Sequence, residues 1–321
     1  MTRSTARCTR LWNGWTGTLV RALVAVLPIV WVGRRVSWLE AARRVEEVGL
    51  PTLFAALALV LLSFFLGAVR WRVLLRGYGA AAPPAVWRLF MDTLVGAYFN
   101  LMPGGIAGEA VRGYRARGAV SGLATSYAVL LVDRLAGLFA LLALSLLASL
   151  VGPTLPVPGL GWVIALASSI GLALAVAVFG APRLLATRPR WRARVAALPW
   201  VGARVVSIAP LSRPWSLVQA LALSIGTQAS AVAAIVALVR SLAPSVDVFG
   251  CARVTLLVVL LIFVPVTPGG FGQREAIFVK VFGIVGVPAG SALAASLATF
   301  ALGMFAAMLG GLRLAYERLG R

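Results

Sequence analysis

The most informative stretch of the chain is Pro268-Gly269-Gly270-Phe271-Gly272-Gln273-Arg274-Glu275, which follows the apolar run at residues 254–266. An earlier stretch, Pro103-Gly104-Gly105-Ile106-Ala107-Gly108-Glu109, has the same features in the same order: a Pro-Gly-Gly turn, a third glycine and a glutamate. The two first prolines are 165 positions apart (268 − 103 = 165), and neighbouring apolar segments recur at about that offset. The chain is therefore predicted to contain two copies of one structural unit.

The composition is typical of an integral membrane protein. Of the 321 residues, 61% are hydrophobic and only 12% are charged, and the mean hydropathy is +0.96, whereas about a quarter of a soluble chain is charged. Five stretches contain no charged residue, and each is long enough for at least one span of roughly 20 residues. They are residues 51–69, 135–182, 214–239, 254–273 and 281–312. We therefore predict an all-α, polytopic integral membrane protein.

The net charge of +21 would favour a nucleic-acid partner in a soluble protein. Here the arginines lie in short segments between apolar runs, which is the pattern of cytoplasmic loops in membrane proteins. The chain has no histidine and only two cysteines, Cys8 and Cys251, which leaves almost no material for a zinc site, a histidine acid–base pair or a disulfide framework. We expect no nucleic-acid partner, no metal and no cofactor. The strong preference for arginine over lysine weakly favours a bacterial source.

The placement of charge predicts six full spans with both termini in the cytoplasm. The spans are expected at residues 11–33, 51–69, 121–150, 162–182, 214–239 and 287–312. The first is interpreted as a retained helix rather than a signal peptide. Residues 37–48 mix apolar and charged side chains in the manner of an amphipathic helix on the outer surface, and the external loop before the second glycine-rich stretch is expected at residues 240–253.

Two further apolar segments are predicted to form re-entrant hairpins. Residues 89–102 number 14 before Pro103, and at 1.5 Å per residue they reach about 21 Å in a hydrocarbon core about 30 Å thick. This hairpin would open to the cytoplasm, and the one at residues 254–283 would open to the outside. The halves would then form an inverted repeat, as in many secondary transporters. The alternative, two full helices that end in glycine-rich loops, stays open, although it places one arginine-rich loop on the wrong side.

These spans predict one transmembrane domain over residues 1–321. Its parts are the first span and surface helix at 1–50, a first repeat core at 51–150, a span and basic cytoplasmic loop at 151–213, and a second repeat core at 214–312.

The two Pro-Gly-Gly breaks predict a polar cavity, because irregular backbone is tolerated at membrane depth only against protein or water. A short helix should follow each break, at about Ile106 and about Gln273, and its free N–H groups and dipole favour an anion. The arginine guanidinium suits phosphate. The candidate substrate-binding residues are Gly104, Gly105, Gly108, Glu109, Arg112, Asp133 and Arg134 in the first half and Gly269, Gly270, Gly272, Arg274 and Glu275 in the second. We expect no catalytic residue.

Four of these candidates also have structural interpretations. Glu109 and Glu275 can cap the short helices and pair locally with Arg112 or Arg274, or they can serve as proton or counter-ion sites. Asp133-Arg134 lies within the predicted span at 121–150, where each central charge costs roughly 2.5–3.5 kcal/mol on the insertion scale. We therefore expect a charge partner in contact with this pair, and the expected partner is one of Glu109, Arg112 and Glu275.

The combined motifs resemble a known family. Pro103-Gly-Gly with Gly108, Glu109 and Arg112, then Asp133-Arg134, then Pro268-Gly-Gly-Phe-Gly with Glu275, resemble the flippase-like family related to the transmembrane region of lysylphosphatidylglycerol synthases. The resemblance covers about residues 51–312. The family usually has an aspartate where Glu109 stands and a glutamate where Asp133 stands, so the charges are kept. Because full-length synthases add a soluble aminoacyl-transfer domain, the resemblance implies that this chain is the lipid-translocating part alone.

The expected function is that of a non-enzymatic translocase in a bacterial cytoplasmic membrane. It would move a phospholipid or other polar-headed lipid, with an anionic or phosphate-bearing head group, between leaflets. The alternatives are a membrane-embedded lipid-modifying enzyme, an accessory subunit of a glycolipid or cell-envelope pathway, and a small-anion transporter. The absence of histidine and the presence of only nine acidic residues make the enzyme less favoured.

Overall fold

A computed structural model describes residues 43–101, 107–151, 157–188, 190, 193–194, 214–262 and 272–319. Within these ranges the regular elements are helices, and no strand occurs. The main helices are α1 (Leu50–Gly77), α2 (Val86–Asn100), α3 (Ala107–Ala116), α4 (Leu123–Val151), α5 (Leu160–Thr187), α6 (Pro214–Leu242), α7 (Val248–Ile262), α8 (Gln273–Phe282) and α9 (Ala289–Leu319). Short 3-10 turns, Arg117–Ala119 and Gly283–Val285, follow α3 and α8.

The predicted membrane class is confirmed. Helices α1, α4, α6 from Trp215 and α9 up to Glu317 are each long and apolar enough to cross a membrane. Shorter apolar helical segments lie at Leu160–Leu174 in α5 and Val248–Ile262 in α7. The predicted spans at 51–69, 121–150, 214–239 and 287–312 therefore correspond to long apolar helices. The predicted first span at 11–33 lies outside the described residues, and of the predicted surface helix only residues 43–46 are described as helical.

The first charged residue after the predicted span at 51–69 is Arg70, and it does not lie in a loop. Helix α1 continues to Gly77, and Arg70 lies inside the protein with 8% of its surface exposed. The helix persists because Trp71, Leu74 and Leu75 are fully buried against the neighbouring helices. The uncharged run ends at residue 69, but the buried face of α1 continues beyond that residue.

The predicted external loop at 240–253 is also corrected. Helix α7 begins at Val248, so Arg253 lies within it and is 8% exposed. The Asp247 carboxylate accepts a hydrogen bond of 2.7 Å from the N–H of Gly250, which satisfies one of the free N–H groups at the start of a helix. Capping by Asp247 therefore begins the helix six residues before the apolar run does.

Two buried clusters form the core. One joins α1, α2 and α4 through Trp71, Leu89 and Leu130, with contributions from α6 and α9. The other joins α6, α7, α8 and α9, and Phe278 and Phe282 in α8 are fully buried within it. Helix α1 packs extensively along α6, which connects the two clusters. Each predicted repeat core therefore contributes most of one cluster.

Helix α2 is held closely on two sides. It has 15 residues, which is about 22 Å, and the prediction of a short helix is confirmed. A Cβ on Gly108 of α3 would lie 2.1 Å from the carbonyl oxygen of Gly96, and a Cβ on Gly310 of α9 would lie 2.2 Å from the carbonyl group of Leu94. Only glycine allows backbones to approach so closely. Helices α3 and α9 therefore fix the position of α2.

An ion-pair network joins the same three helices. Arg115 of α3 donates a hydrogen bond of 2.5 Å to the Asp92 carboxylate of α2, and its two terminal nitrogens lie 2.9–3.1 Å from the Glu317 carboxylate of α9. Arg313 also donates to Glu317, at 2.9 Å. Bidentate arginine–carboxylate pairs have defined geometry, so this network orients α2 and α3 against the end of α9.

Candidate functional site

A polar cavity of about 240 Å³ lies between α1, α2, α3, α4 and α6. The charged part of its wall comes from α1, α3 and α4, and the uncharged polar part comes mainly from α2 and α6. Its charged residues are Arg70, Glu109, Arg112, Asp133 and Arg134. The cavity therefore collects four of the charged residues that the sequence singled out, together with Arg70.

Asp133 lies between two arginines. Its side chain is 3% exposed, and one carboxylate oxygen accepts a hydrogen bond of 2.6 Å from Arg70 Nε. The other oxygen lies 3.6 Å from Arg112 Nη2. Arg70 also donates from Nη1 to Ser224 Oγ of α6 at 3.0 Å. A charge in the middle of α4 is thus compensated by α1 and α3, as the cost of an isolated intramembrane ion requires.

Glu109 is the second acid of the cavity. It lies in the first turn of α3, where its carboxylate pairs with Arg112 at 3.3 Å and with Arg134 of α4. The expected partners of Asp133 and Arg134 are therefore confirmed as Arg112 and Glu109, whereas Glu275 does not contact either residue. The pair Glu109–Arg134 lies at the more open part of the cavity, since the Arg134 side chain is 48% exposed.

Arg112 retains unused binding capacity. It is 7% exposed, its guanidinium carbon lies 4.4 Å from the centre of the Trp71 ring, and within the described residues its Nε has no hydrogen-bond partner. A buried donor without a partner costs about 1–3 kcal/mol. The cavity contains three arginines and two carboxylates, so its formal charge is +1. It therefore favours an anion that supplies oxygen acceptors.

The short helices begin close to the predicted positions, at Ala107 and Gln273. The N–H of Gly108 donates to Asn100 Oδ1 at 2.9 Å, which ties the start of α3 to the end of α2. Gly108 packs closely against Gly96 and does not line the cavity. The turn residues Gly104, Gly105, Gly269 and Gly270 lie outside the described residues.

The second glycine-rich stretch forms a separate cluster. The Glu275 carboxylate accepts a hydrogen bond of 2.8 Å from the N–H of Gly272 and pairs with Arg274. Arg274 Nε donates to Ser296 Oγ at 3.1 Å, and its guanidinium carbon lies 4.4 Å from the Phe300 ring centre. The capping and local ion-pair interpretation of Glu275 is therefore confirmed. Gly272, Arg274 and Glu275 do not line the cavity described above.

The sequence interpretation missed several polar residues of the cavity. Arg70 stood at the end of an uncharged run and resembled an ordinary interfacial arginine. Gln228 stood in the middle of the uncharged stretch 214–239, and an amide in the centre of a span was a usable signal because polar side chains there usually face other helices. Thr93, Asn100 and Thr227 carried no comparable signal.

The comparison with protein families supplies the identity of the chain. Residues 18–311 match the model of the family described as the lysylphosphatidylglycerol synthase TM region. No individual curated protein matches the chain at a significant level. The family match includes all helices of the cavity and both glycine-rich stretches, so it agrees with the resemblance drawn from the motifs. The chain therefore belongs to the family of lysylphosphatidylglycerol synthase transmembrane regions.

Proposed function

We propose that the protein is a non-enzymatic lipid translocase, which moves a phospholipid with an anionic head group between the leaflets of a bacterial cytoplasmic membrane. The membership of a lipid-related membrane family supports a role with lipids. The cavity of formal charge +1 between membrane-spanning helices supports the passage of an anionic head group. The acyl chains would remain in the bilayer, because only the head group requires polar surroundings.

The observation that carries this proposal is the state of Arg112. Its side chain is buried, lines the cavity and has a free Nε donor. A phosphate oxygen would supply the missing acceptor, and the N-terminus of α3 would add the positive end of its dipole. Arg70 and Arg134 would share the remaining phosphate oxygens while Asp133 and Glu109 keep the arginines in place. The pairing of each acid with an arginine reduces the repulsion between the three arginines.

The second glycine-rich stretch would contribute a corresponding group of residues to this mechanism. Arg274, Gly272 and Glu275 at the start of α8 would meet the head group when the other side of the protein opens. An inverted repeat has two related conformations, so rocking of one half against the other would transfer the head group between leaflets. This proposal has two further parts. The helix pairs α2–α3 and α7–α8 would be re-entrant, and both termini would lie in the cytoplasm.

Translocation by purified protein in liposomes tests the proposal. Fluorescent phospholipids with anionic and zwitterionic head groups are followed by quenching from the outside, for the wild type and for Arg112→Ala and Arg274→Ala. We expect both substitutions to slow the translocation of the anionic lipid. Arg112→Ala should lower the translocation rate at least about tenfold, because a hydrogen bond to a charged group contributes about 1.5–3 kcal/mol.

The matched control is Arg117→Ala, which removes an exposed arginine that donates to the Tyr114 carbonyl, lies over the Tyr114 ring and does not line the cavity. It should translocate lipid at the wild-type rate. Unchanged translocation in Arg112→Ala and Arg274→Ala, at equal insertion, would contradict the proposal. A chemically modified lipid in the wild-type sample would favour the enzyme, and uptake of free phosphate without lipid movement would favour an anion transporter.

A further inference from the structure

One buried arginine, in the second half of the chain, has no partner among the described residues. Arg253 of α7 is 8% exposed, forms no ion pair with a described residue, and its Nη1 has no hydrogen-bond partner. The other buried charged residues of the described ranges all form ion pairs, and they are Arg70, Asp92, Arg112, Asp133 and Glu275. An isolated charge removed from water is strongly unfavourable. Arg253 therefore indicates a missing anion.

The guanidinium of Arg253 lies at the start of α5. Its Nη2 lies 3.6 Å from the point that a Cβ on Gly161 would occupy, and Gly161 is the second residue of α5. Asp247 is the acid nearest to Arg253 in the sequence, but its carboxylate accepts the hydrogen bond from the N–H of Gly250. Arg253 thus faces the first turn of a neighbouring helix rather than a carboxylate.

The first turn of α5 offers hydrogen-bond donors. Gly159 precedes the helix and provides no side-chain cap. The first bond of the helix joins the N–H of Val163 to the Gly159 carbonyl at 3.1 Å, and among the described residues the N–H groups of Gly161 and Trp162 have no acceptor. The positive end of a 28-residue helix therefore meets an unpaired guanidinium, and both favour an anion.

Exposed aromatic side chains lie beside this position. Trp162 follows Gly161 directly, and Phe249 stands one helical turn before Arg253 on the same face of α7; both side chains are exposed. Aromatic residues are enriched where a membrane protein meets the polar surface of the bilayer. The predicted topology places the starts of α5 and α7 on the same, external side. A ligand would therefore reach Arg253 from the membrane surface.

We propose that Arg253 and the first turn of α5 form a second anion site, which binds a phosphate group at the membrane surface and bridges α5 to α7. A phosphate has enough oxygens to accept from the planar guanidinium and from the N–H groups of Gly161 and Trp162 together. Neither Arg253 nor Gly161 lines the polar cavity. Because α5 packs mainly on α4, the bound phosphate would add a second attachment for this peripheral helix.

Phosphate binding to the purified, delipidated full chain in an uncharged detergent tests the inference. Every sample carries Arg112→Ala, so the result does not depend on the anion site proposed for the cavity. The probes are dioctanoyl phosphatidic acid, inorganic phosphate and dioctanoylglycerol, which has the same acyl chains as the first probe and no phosphate. We expect phosphatidic acid to bind more tightly than dioctanoylglycerol. Arg253→Gln should weaken its binding at least about tenfold, as expected for loss of a hydrogen bond to a charged group.

Two further variants locate the effect. Arg188→Gln is the matched control, because it removes an exposed arginine directly after the other end of α5, and it should change the affinity less than about twofold. Arg253→Lys keeps the charge and loses the planar fork, so its affinity should lie between those of the parent and Arg253→Gln. Arg253→Lys also keeps the test valid if Arg253→Gln folds poorly.

Thermal unfolding separates a ligand site from a structural ion pair. Without added lipid, Arg253→Gln should unfold at the temperature of its parent or above it, because an unpaired buried charge is removed. Phosphatidic acid should raise the unfolding temperature of the parent more than that of Arg253→Gln. A lower unfolding temperature of Arg253→Gln without lipid, combined with an unchanged affinity, would assign Arg253 a structural partner and overturn the site.

The remaining outcomes identify the source of the phosphate or contradict the site. Inorganic phosphate that displaces phosphatidic acid at a similar concentration would assign the site to a free anion, whereas binding of the lipid alone would assign it to a lipid phosphate. Equal affinities of Arg253→Gln and its parent, or equal losses in Arg253→Gln and Arg188→Gln, would overturn the inference. Neither result would alter the translocation expected of Arg112→Ala, so the two proposals fail separately.

Discussion

Asp133 and Glu109 differ in how deeply their ion pairs are buried. The Asp133 and Arg70 side chains are 3% and 10% exposed, whereas the Glu109 and Arg134 side chains are 20% and 48% exposed. Loss of one partner from a buried pair leaves an uncompensated charge, which costs about 3–5 kcal/mol, while an exposed pair contributes about 0.2–1 kcal/mol. Asp133 is therefore the residue on which the integrity of the cavity depends most.

We predict that Asp133→Asn lowers the thermal unfolding temperature in detergent clearly more than Glu109→Gln does. Both substitutions remove one negative charge and nearly preserve shape, so each serves as the control for the other. Because both variants lose the same charge, a difference between their unfolding temperatures reports the difference in burial of the two carboxylates. Equal shifts in unfolding temperature would mean that Asp133 is not held as a buried ion between Arg70 and Arg112.

The sequence was sufficient to predict that Asp133 and Arg134 contact charged partners. It was not sufficient to predict that Arg70 is buried. An acid–arginine pair within an apolar run must find a partner, and that requirement predicted contact with Glu109, Arg112 or Glu275, of which Glu109 and Arg112 make the contact. An arginine at the end of an apolar run looks the same whether it reaches water or turns inward. The position of Arg70 depends on the burial of Trp71 and Leu74, which only the packed helices reveal.

Among the helices, α2 depends on glycine at its contact with α9. A Cβ at Gly310 would lie 2.2 Å from the backbone carbonyl of Leu94, so the two helices would have to separate. We predict that Gly310→Ala lowers stability by about 1–3 kcal/mol, the usual cost of overpacking. The measurement is thermal unfolding of the purified protein, together with the translocation rate.

Gly303 in the same helix provides a matched control. A Cβ at Gly303 would meet nothing within 4 Å, and alanine favours a helix over glycine by up to about 1 kcal/mol. Gly303→Ala should therefore be neutral or stabilising. Destabilisation of similar size by both substitutions would show that the close approach of α2 and α9 is not what Gly310 provides.

The element boundaries show what periodicity and charge can predict. The starts of α3 and α8 followed from the glycine-rich stretches, because such stretches interrupt helices and release N–H groups. The start of α7 at Val248 did not follow from the apolar run, since Asp247 caps the helix ahead of it. The Pro-Gly-Gly turns lie outside the described residues, and the expectation that Gly105→Val or Gly270→Val abolishes translocation rests on sequence alone.

For the whole molecule, the polytopic helical class followed directly from hydropathy. The two buried clusters, one in each predicted repeat core, are compatible with two related halves. Their orientation in a bilayer depends on the distribution of charge across the membrane, which packing does not record. The inverted relation of the halves therefore stays a prediction.

Cysteine labelling tests this orientation. We expect cysteines introduced at Arg117 and Gly286, in a Cys8→Ser/Cys251→Ala background, to react from opposite sides of the membrane, cytoplasmic and external respectively. Arg117 begins the 3-10 turn that follows α3, and Gly286 comes directly after the 3-10 turn that follows α8. Labelling of both positions from the same side would contradict the inverted arrangement.

The passage of a head group through this cavity is tested most directly by the accessibility of its wall from the two sides. In the same cysteine-free background, Thr227→Cys places a single thiol on the cavity lining. A membrane-impermeant thiol reagent is added to one side at a time of oriented vesicles, with and without inorganic phosphate as the ligand. We predict labelling from both sides, slowed by the ligand, because the proposed mechanism opens the cavity to each side in turn. Labelling from one side only, in protein that still translocates lipid, would contradict this mechanism.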